Sequence, residues 1–265
     1  MTLSAVQGPA PSAWGLPVLQ GPDWPGVRCL ATTRSGGVSA APFDALNLGF
    51  NTRDNAHHAA ENRRRLQACL PGPVVWLDQV HGTTVADADA LGPNASRPVA
   101  DAVVTTAPRR VLGILTADCL PVVIVDAQAR ALGVAHAGWR GLAAGVLEAT
   151  LDALRARVSG ARYWQAWVGP GISQAHFEVG DDVRQAFLSH HPGAAEYFQP
   201  GVRAGKWMAD LPALARQRLL AAGVQQIALS GACTFAQADR YYSYRRSPET
   251  GRQATVAWLT GSDLP

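Results

Sequence analysis

Cysteine is scarce in this chain. Four among 265 residues, Cys29, Cys69, Cys119 and Cys233, are too few and too widely spaced for a disulfide-stapled scaffold or a compact CxxC metal finger. Charge is sparse as well, at 16% of residues, and 23 basic against 20 acidic side chains leave a net charge of only +3. So small a bias provides no footprint for nucleic acid or a membrane surface. No apolar run reaches the ~18 residues of a membrane span, because Asp118, Asp126 and Arg130 interrupt the most hydrophobic stretch. The chain also lacks the basic and apolar regions of a secretory signal; Pro and Gly fill residues 1–26 instead, and the expected setting is the reducing cytoplasm. Neither a GxGxxG loop nor a GxxxxGK[ST] loop occurs, so no nucleotide cofactor is indicated. No internal repeat or interdomain linker is evident, and nothing marks an obligate protein partner.

What remains is an ordinary globular composition, 48% hydrophobic, on a chain long enough to bury a sizeable core. Predicted strands and helices alternate irregularly and include hairpins, which points to the α/β class, with a mixed sheet in one domain over 27–265. A helix is expected from a cap at Asp54 or Asn55 to about Leu70, with Arg63, Arg64 and Arg65 on its solvated face. Strands are expected over 74–80, 99–105, 164–168 and 226–229, and a hairpin from 240–244 and 254–259. A loop is expected over 92–98. Helices should open at Asp181 and Asp210.

The most informative stretch runs from Leu115 to Val146. It reads as a strand ending at Thr116, a kink at Ala117 and Asp118, strands over 120–125 and 131–137, a Gly-Trp-Arg-Gly corner and a helix over 142–154. If the turn pairs Val125 with Leu132, then Pro121 faces His136, and Cys119 and His136 become diagonal neighbours on one face, Cα atoms roughly 7–8 Å apart. A shift of one residue would put them on opposite faces. His81 ends another alternating run, Trp76 to Gly82. One thiolate and two imidazoles can hold a tetrahedral metal and leave its fourth position open, where a water is acidified to a pKa near ~7. The spacing alone is equally compatible with a buried structural thiol and two histidines satisfied by backbone carbonyls.

The motifs DQVHG (78–82), TADCLPVVI (116–124) and HAGWRGL (136–142) occur in that order. So do TTRSGGVS (32–39), LNLGFNTRDN (46–55), GPGISQAHFEVGDDV (169–183), GKWMADL (205–211) and YYSYRRSPETGRQATVAWL (241–259). Together they resemble the laccase-domain (YfiH-like) family over nearly the whole chain. The resemblance implies a layered sandwich of helices enclosing sheets, similar to that of cytotoxic-necrotizing-factor-type deamidases. It implies Zn²⁺ on His81, Cys119 and His136. It further implies phosphorolysis of purine nucleosides, with deamination of adenosine and cleavage of methylthioadenosine; an older polyphenol oxidase label accompanies the family.

On this reading Cys119, His136 and Arg34 are the catalytic candidates, Arg34 gripping phosphate through its guanidinium fork. Asn47, Gln79 and Arg245 are the substrate-binding candidates, and purine nucleosides and phosphate the reactants. Two other chemistries fit the residues. Cys119 as nucleophile with His136 as base would make an amide hydrolase, suited to editing peptidoglycan precursors. Copper oxidation would need several Cys/His clusters, and only these three soft ligands are visible.

Overall fold

The computed structural model describes residues 15–92 and 95–261. Most of the Pro/Gly-rich opening segment, the tip of the 92–98 loop and the last four residues therefore lie outside the described residues. In chain order the elements are β1 (Val18–Gln20), β2 (Val27–Thr32), α1 (Ala56–Gln67), β3 (Val74–Val75), β4 (Val85–Asp87), β5 (Ala102–Thr105) and β6 (Val111–Thr116). Next come β7 (Leu120–Asp126), β8 (Leu132–Ala137), α2 (Trp139–Ala144), α3 (Val146–Arg155), β9 (Trp164–Val168), β10 (Glu178–Gly180) and α4 (Asp181–Leu188). The chain closes with β11 (Phe198–Pro200), β12 (Lys206–Ala209), α5 (Leu211–Ala221), β13 (Gln226–Leu229) and β14 (Gln253–Leu259).

Two mixed sheets form the centre. The order β1-β2-β14-β6-β3 makes one, and β13-β9-β7-β8-β5-β4 the other; a small antiparallel sheet, β10-β12-β11, lies apart from both. Strand β7 is buried at every position, which its unbroken apolar sequence requires because a layer covers each face of its sheet. Leu112, Ile114 and Ala257 of the first sheet pack against Val103, Val123 and Val134 of the second. The opposite face of the second sheet carries Val122, Ile124 and Ala135 against Leu147, Leu151 and Leu154 of α3 and Leu214 and Leu219 of α5. On the outer face of the first sheet, Leu66 of α1 meets Val111 and Val256. The architecture is the α/β layered sandwich expected, with helices outside and two sheets within.

The β7–β8 register pairs Val125 with Leu132 and Pro121 with His136, the alignment that puts Cys119 and His136 on one face. Helix α1 starts where expected, with the Asn55 side chain accepting the backbone N–H of His57.

Several expectations are corrected. The helix expected over 142–154 is two helices, α2 and α3, broken by Gly145 at φ 102°. The strand expected over 74–80 is only Val74–Val75, and the one over 99–105 begins at Ala102. Between them, Asp78 and Val99 form an isolated parallel bridge. There is also no hairpin over 240–259, since β14 pairs with β2 and β6. Residues 240–244 instead form a loop, buried at 241–243 and pinned by Arg246, whose guanidinium donates to the carbonyls of Thr234, Phe235 and Tyr241.

Candidate metal centre

His81, Cys119 and His136 converge. Their three ligand atoms lie within 4.8 Å of one another, and no other group of three or more Cys, His, Asp or Glu side chains is so arranged among the described residues. The Cys119 Sγ to His81 Nε2 distance is 3.9 Å, and the two imidazole rings meet edge to face with centroids 4.8 Å apart.

Each ligand is held by a local device. His81 sits at φ 62°, and the N–H groups of Val80, His81 and Gly82 all donate to the buried carboxylate of Asp101, at 3.1, 2.8 and 2.7 Å. The same carboxylate lies 2.8 Å from His136 Nδ1, which turns that ring's Nε2 away from Asp101. Burial opposes the Asp101 charge, but His136 and the surrounding N–H groups hold its carboxyl below the ordinary value. Asp118, at φ 97°, brings Cys119 into place. Its carboxylate accepts the Thr234 hydroxyl at 2.6 Å and the Arg245 N–H at 2.7 Å. Gly138 completes the cradle, since a Cβ there would stand 2.8 Å from His81 Cδ2 and 3.0 Å from Cys119 Sγ.

The electrostatics suit a cation. Burial pushes the Cys119 thiol up, yet the neighbouring His136 charge and hydrogen bonds from both histidines outweigh it and bring the thiol down to about 6. Burial pushes His136 down, and the Cys119 thiolate with Asp101 raises it to about 9. The pair is therefore a thiolate and an imidazolium at neutral pH. One anionic sulfur, two nitrogen donors and a carboxylate behind the rings form a donor set that fits Zn²⁺.

The three ligands open on a cavity of about 400 Å³ lined by Phe50, Trp139, Phe177 and Tyr244 and by Arg63, Arg97, Arg245 and Arg252. Gln79 also lines it, but its amide is committed to both backbone groups of Leu115. Arg245 reaches the cavity with its guanidinium 5.1 Å from the centre of the Phe177 ring and one donor on the Glu178 carbonyl. Arg34 and Asn47 are not on the wall. Arg34 donates to the Asp44 carbonyl, the Asp44 carboxylate and the Ala238 carbonyl. Asn47 accepts the N–H groups of Gly49 and Arg252, each at 2.9 Å, and so positions two wall residues without touching the cavity. Arg63 departs from the solvated face expected of it, turning inward between Phe50 and Trp76.

Residues 28–260 match the family described as multi-copper polyphenol oxidoreductase laccase. The chain belongs to this laccase-like family. It is 50% identical over 242 residues to a Pseudomonas aeruginosa protein named purine nucleoside phosphorylase, covering 90% of this chain and 97% of that one. It is 44% identical over 244 residues to purine nucleoside phosphorylase YfiH of Escherichia coli, again covering 90% and 97%. The crystal structure of a Neisseria meningitidis protein of the DUF152 family superposes with a TM-score of 0.85 at 41% identity, over 92% of this chain and 99% of that one.

Sequence reasoning missed Asp101, Asp118, Arg63, Arg97 and Arg252. Asp101 was legible only as a polar residue inside an apolar run, since its partners arrive from 20 and 35 positions away.

Proposed function

We propose that this laccase-like chain is a zinc-dependent purine nucleoside phosphorylase that also deaminates adenosine and cleaves methylthioadenosine. The observation that carries the reading is the convergence of His81, Cys119 and His136 at a cavity whose walls are aromatic and arginine-rich. Names of relatives at 44 to 50% identity support the phosphorylase assignment. Bound zinc, held by these three residues, would act as a Lewis acid on a substrate atom at the fourth position. The chain's own side chains do the rest. Trp139, Phe177 and Tyr244 offer π-faces to a purine, and the arginines offer charge to phosphate. Asp101 keeps His136 in one tautomer and fixes the loop bearing His81. A cavity of about 400 Å³ has room to hold nucleoside and phosphate side by side. The four cysteines are all free, which suits the cytoplasm. Among the described residues no helix is long and apolar enough to cross a membrane.

The test is product analysis. Zinc-loaded protein incubated with inosine, adenosine or methylthioadenosine and phosphate should release free base and sugar 1-phosphate, and adenosine should also give inosine. Absence of sugar 1-phosphate from all three would overturn the reading.

A second reading is favoured by one observation, the Cys119 thiolate beside the His136 imidazolium, which is also the resting state of a cysteine hydrolase such as one editing peptidoglycan precursors. It requires amide cleavage by metal-free protein and its loss on thiol alkylation.

A further inference from the structure

Arg63 is a half-buried cation without an anion among the described residues. Its Nε donates to the Leu48 carbonyl at 2.8 Å, and its guanidinium lies between the rings of Phe50 and Trp76, 4.3 and 4.5 Å from their centres. Its Nη2 is buried with no hydrogen-bond partner, and no carboxylate pairs with it among the described residues. Its electrostatic neighbour is another cation, Arg97, and burial with that repulsion brings the Arg63 guanidinium down to about 10, still charged at neutral pH. Arg97 reaches Asp78 only at 3.4 Å, from an exposed position.

Arg252 joins them through the same loop: Leu48 N–H donates to its carbonyl, and Gly49 packs against its side chain so closely that a Cβ there would stand 2.8 Å from Arg252 Cγ. On the same cavity, the buried Thr116 hydroxyl also lacks a partner. Leaving buried donors unpaired is costly, and crowding like charges adds to that cost, so the arrangement calls for an anion rich in acceptor oxygens.

We propose that Arg63, Arg97 and Arg252 form the subsite for the free phosphate co-substrate. Arg34 is not part of it, because it stands off the cavity wall with its guanidinium on Asp44 and Ala238, whereas Arg252 lines the cavity while its Nη1 holds the Thr250 and Gly251 carbonyls. The assignment rests on the phosphorolysis reading. In that reaction an oxygen of hydrogen phosphate bonds to the ribose C1′, and the bond from C1′ to the purine nitrogen breaks. Its electron pair leaves with the base, and the proton of hydrogen phosphate ends on the base nitrogen. The arginines would bind and orient the nucleophile and hold its charge through the transfer.

The experiment is calorimetric titration of inorganic phosphate into zinc-loaded protein without nucleoside. Wild type should bind saturably, and Arg63→Met and Arg97→Met should each weaken Kd by about tenfold or more, with Arg64→Gln, on an outward position of the same helix, within about twofold of wild type. Arg97 is exposed, so its variant keeps the test open if Arg63→Met fails to fold. In steady state the same variants should raise KM for phosphate about tenfold and that for nucleoside less than about threefold. No saturable phosphate binding, or equal binding by both variants, overturns the subsite. Arginine-dependent binding of phosphate without any sugar 1-phosphate formation keeps the anion subsite and overturns phosphorolysis. Inosine 5′-monophosphate binding about tenfold tighter than phosphate, with the same arginine dependence, places the phosphoryl group on the substrate and overturns the free-phosphate assignment.

Discussion

Asp101 and His136 are joined twice: the Asp101 carboxylate lies 2.8 Å from the imidazole Nδ1, and the His136 backbone N–H donates to the Asp101 carbonyl at 2.6 Å. The carboxylate that orients this ring also collects the backbone of the loop carrying His81, so one buried charge sets the position of two of the three ligands.

Replacement of Asp101 should therefore damage the centre without removing a ligand. Asp101→Asn keeps the shape but loses the charge, and zinc affinity should fall about 10- to 100-fold, as measured by competition with a chromophoric chelator. Unchanged affinity would show that the carboxylate only supports the fold.

Gly138 has no room for a side chain between His81 and Cys119. Gly138→Ala should force those ligands apart, lowering zinc occupancy and turnover together by about tenfold or more, since a displacement of about an ångström at a reacting centre is that costly. Elemental analysis alongside the activity assay checks it.

The thiolate and imidazolium pair dictates a pH dependence. Between about 6, where the Cys119 thiol ionises, and about 9, where His136 loses its proton, the metal-free pair carries one proton, and zinc must displace it. Affinity should rise by about tenfold per pH unit across that window and level off above it, because no proton then remains on the pair to be expelled. Below about pH 6 the slope should steepen as the thiol also becomes protonated. Chelator competition from pH 5.5 to 10 measures the profile, and a flat one would contradict the paired state.

Arg34 should behave as a structural residue. Arg34→Gln removes donors to Asp44 and Ala238 and should cost about 1–2 kcal/mol of stability, seen as a lower Tm, with KM for phosphate unchanged. A raised KM for phosphate at unchanged Tm would restore Arg34 to the site.

Much of the site was legible because its central hairpin is local. Two apolar runs joined by a short polar turn read as a hairpin, and the pairing of Val125 with Leu132 aligns Cys119 with His136 where a one-residue slip would separate them. Asn55 as a cap and the Trp164–Val168 strand were legible for the same reason. What escaped depends on distant partners. Arg63, Arg64 and Arg65 look alike in sequence, and only the Leu48 carbonyl and the rings of Phe50 and Trp76 decide that the first turns inward while Glu61 holds the other two outside. Tyr241 and Tyr242 have strand-like composition, but Gln253 and Phe43 claim the groups of Tyr242 that a ladder or solvent would otherwise take.

The decisive measurement is a zinc titration of metal-free protein with phosphorolysis followed at each addition. Turnover should climb in proportion to bound metal and stop at one ion per chain, and Cys119→Ala should neither bind that ion nor turn over. Full activity in the metal-free protein, or in Cys119→Ala, would contradict a reaction centred on His81, Cys119 and His136.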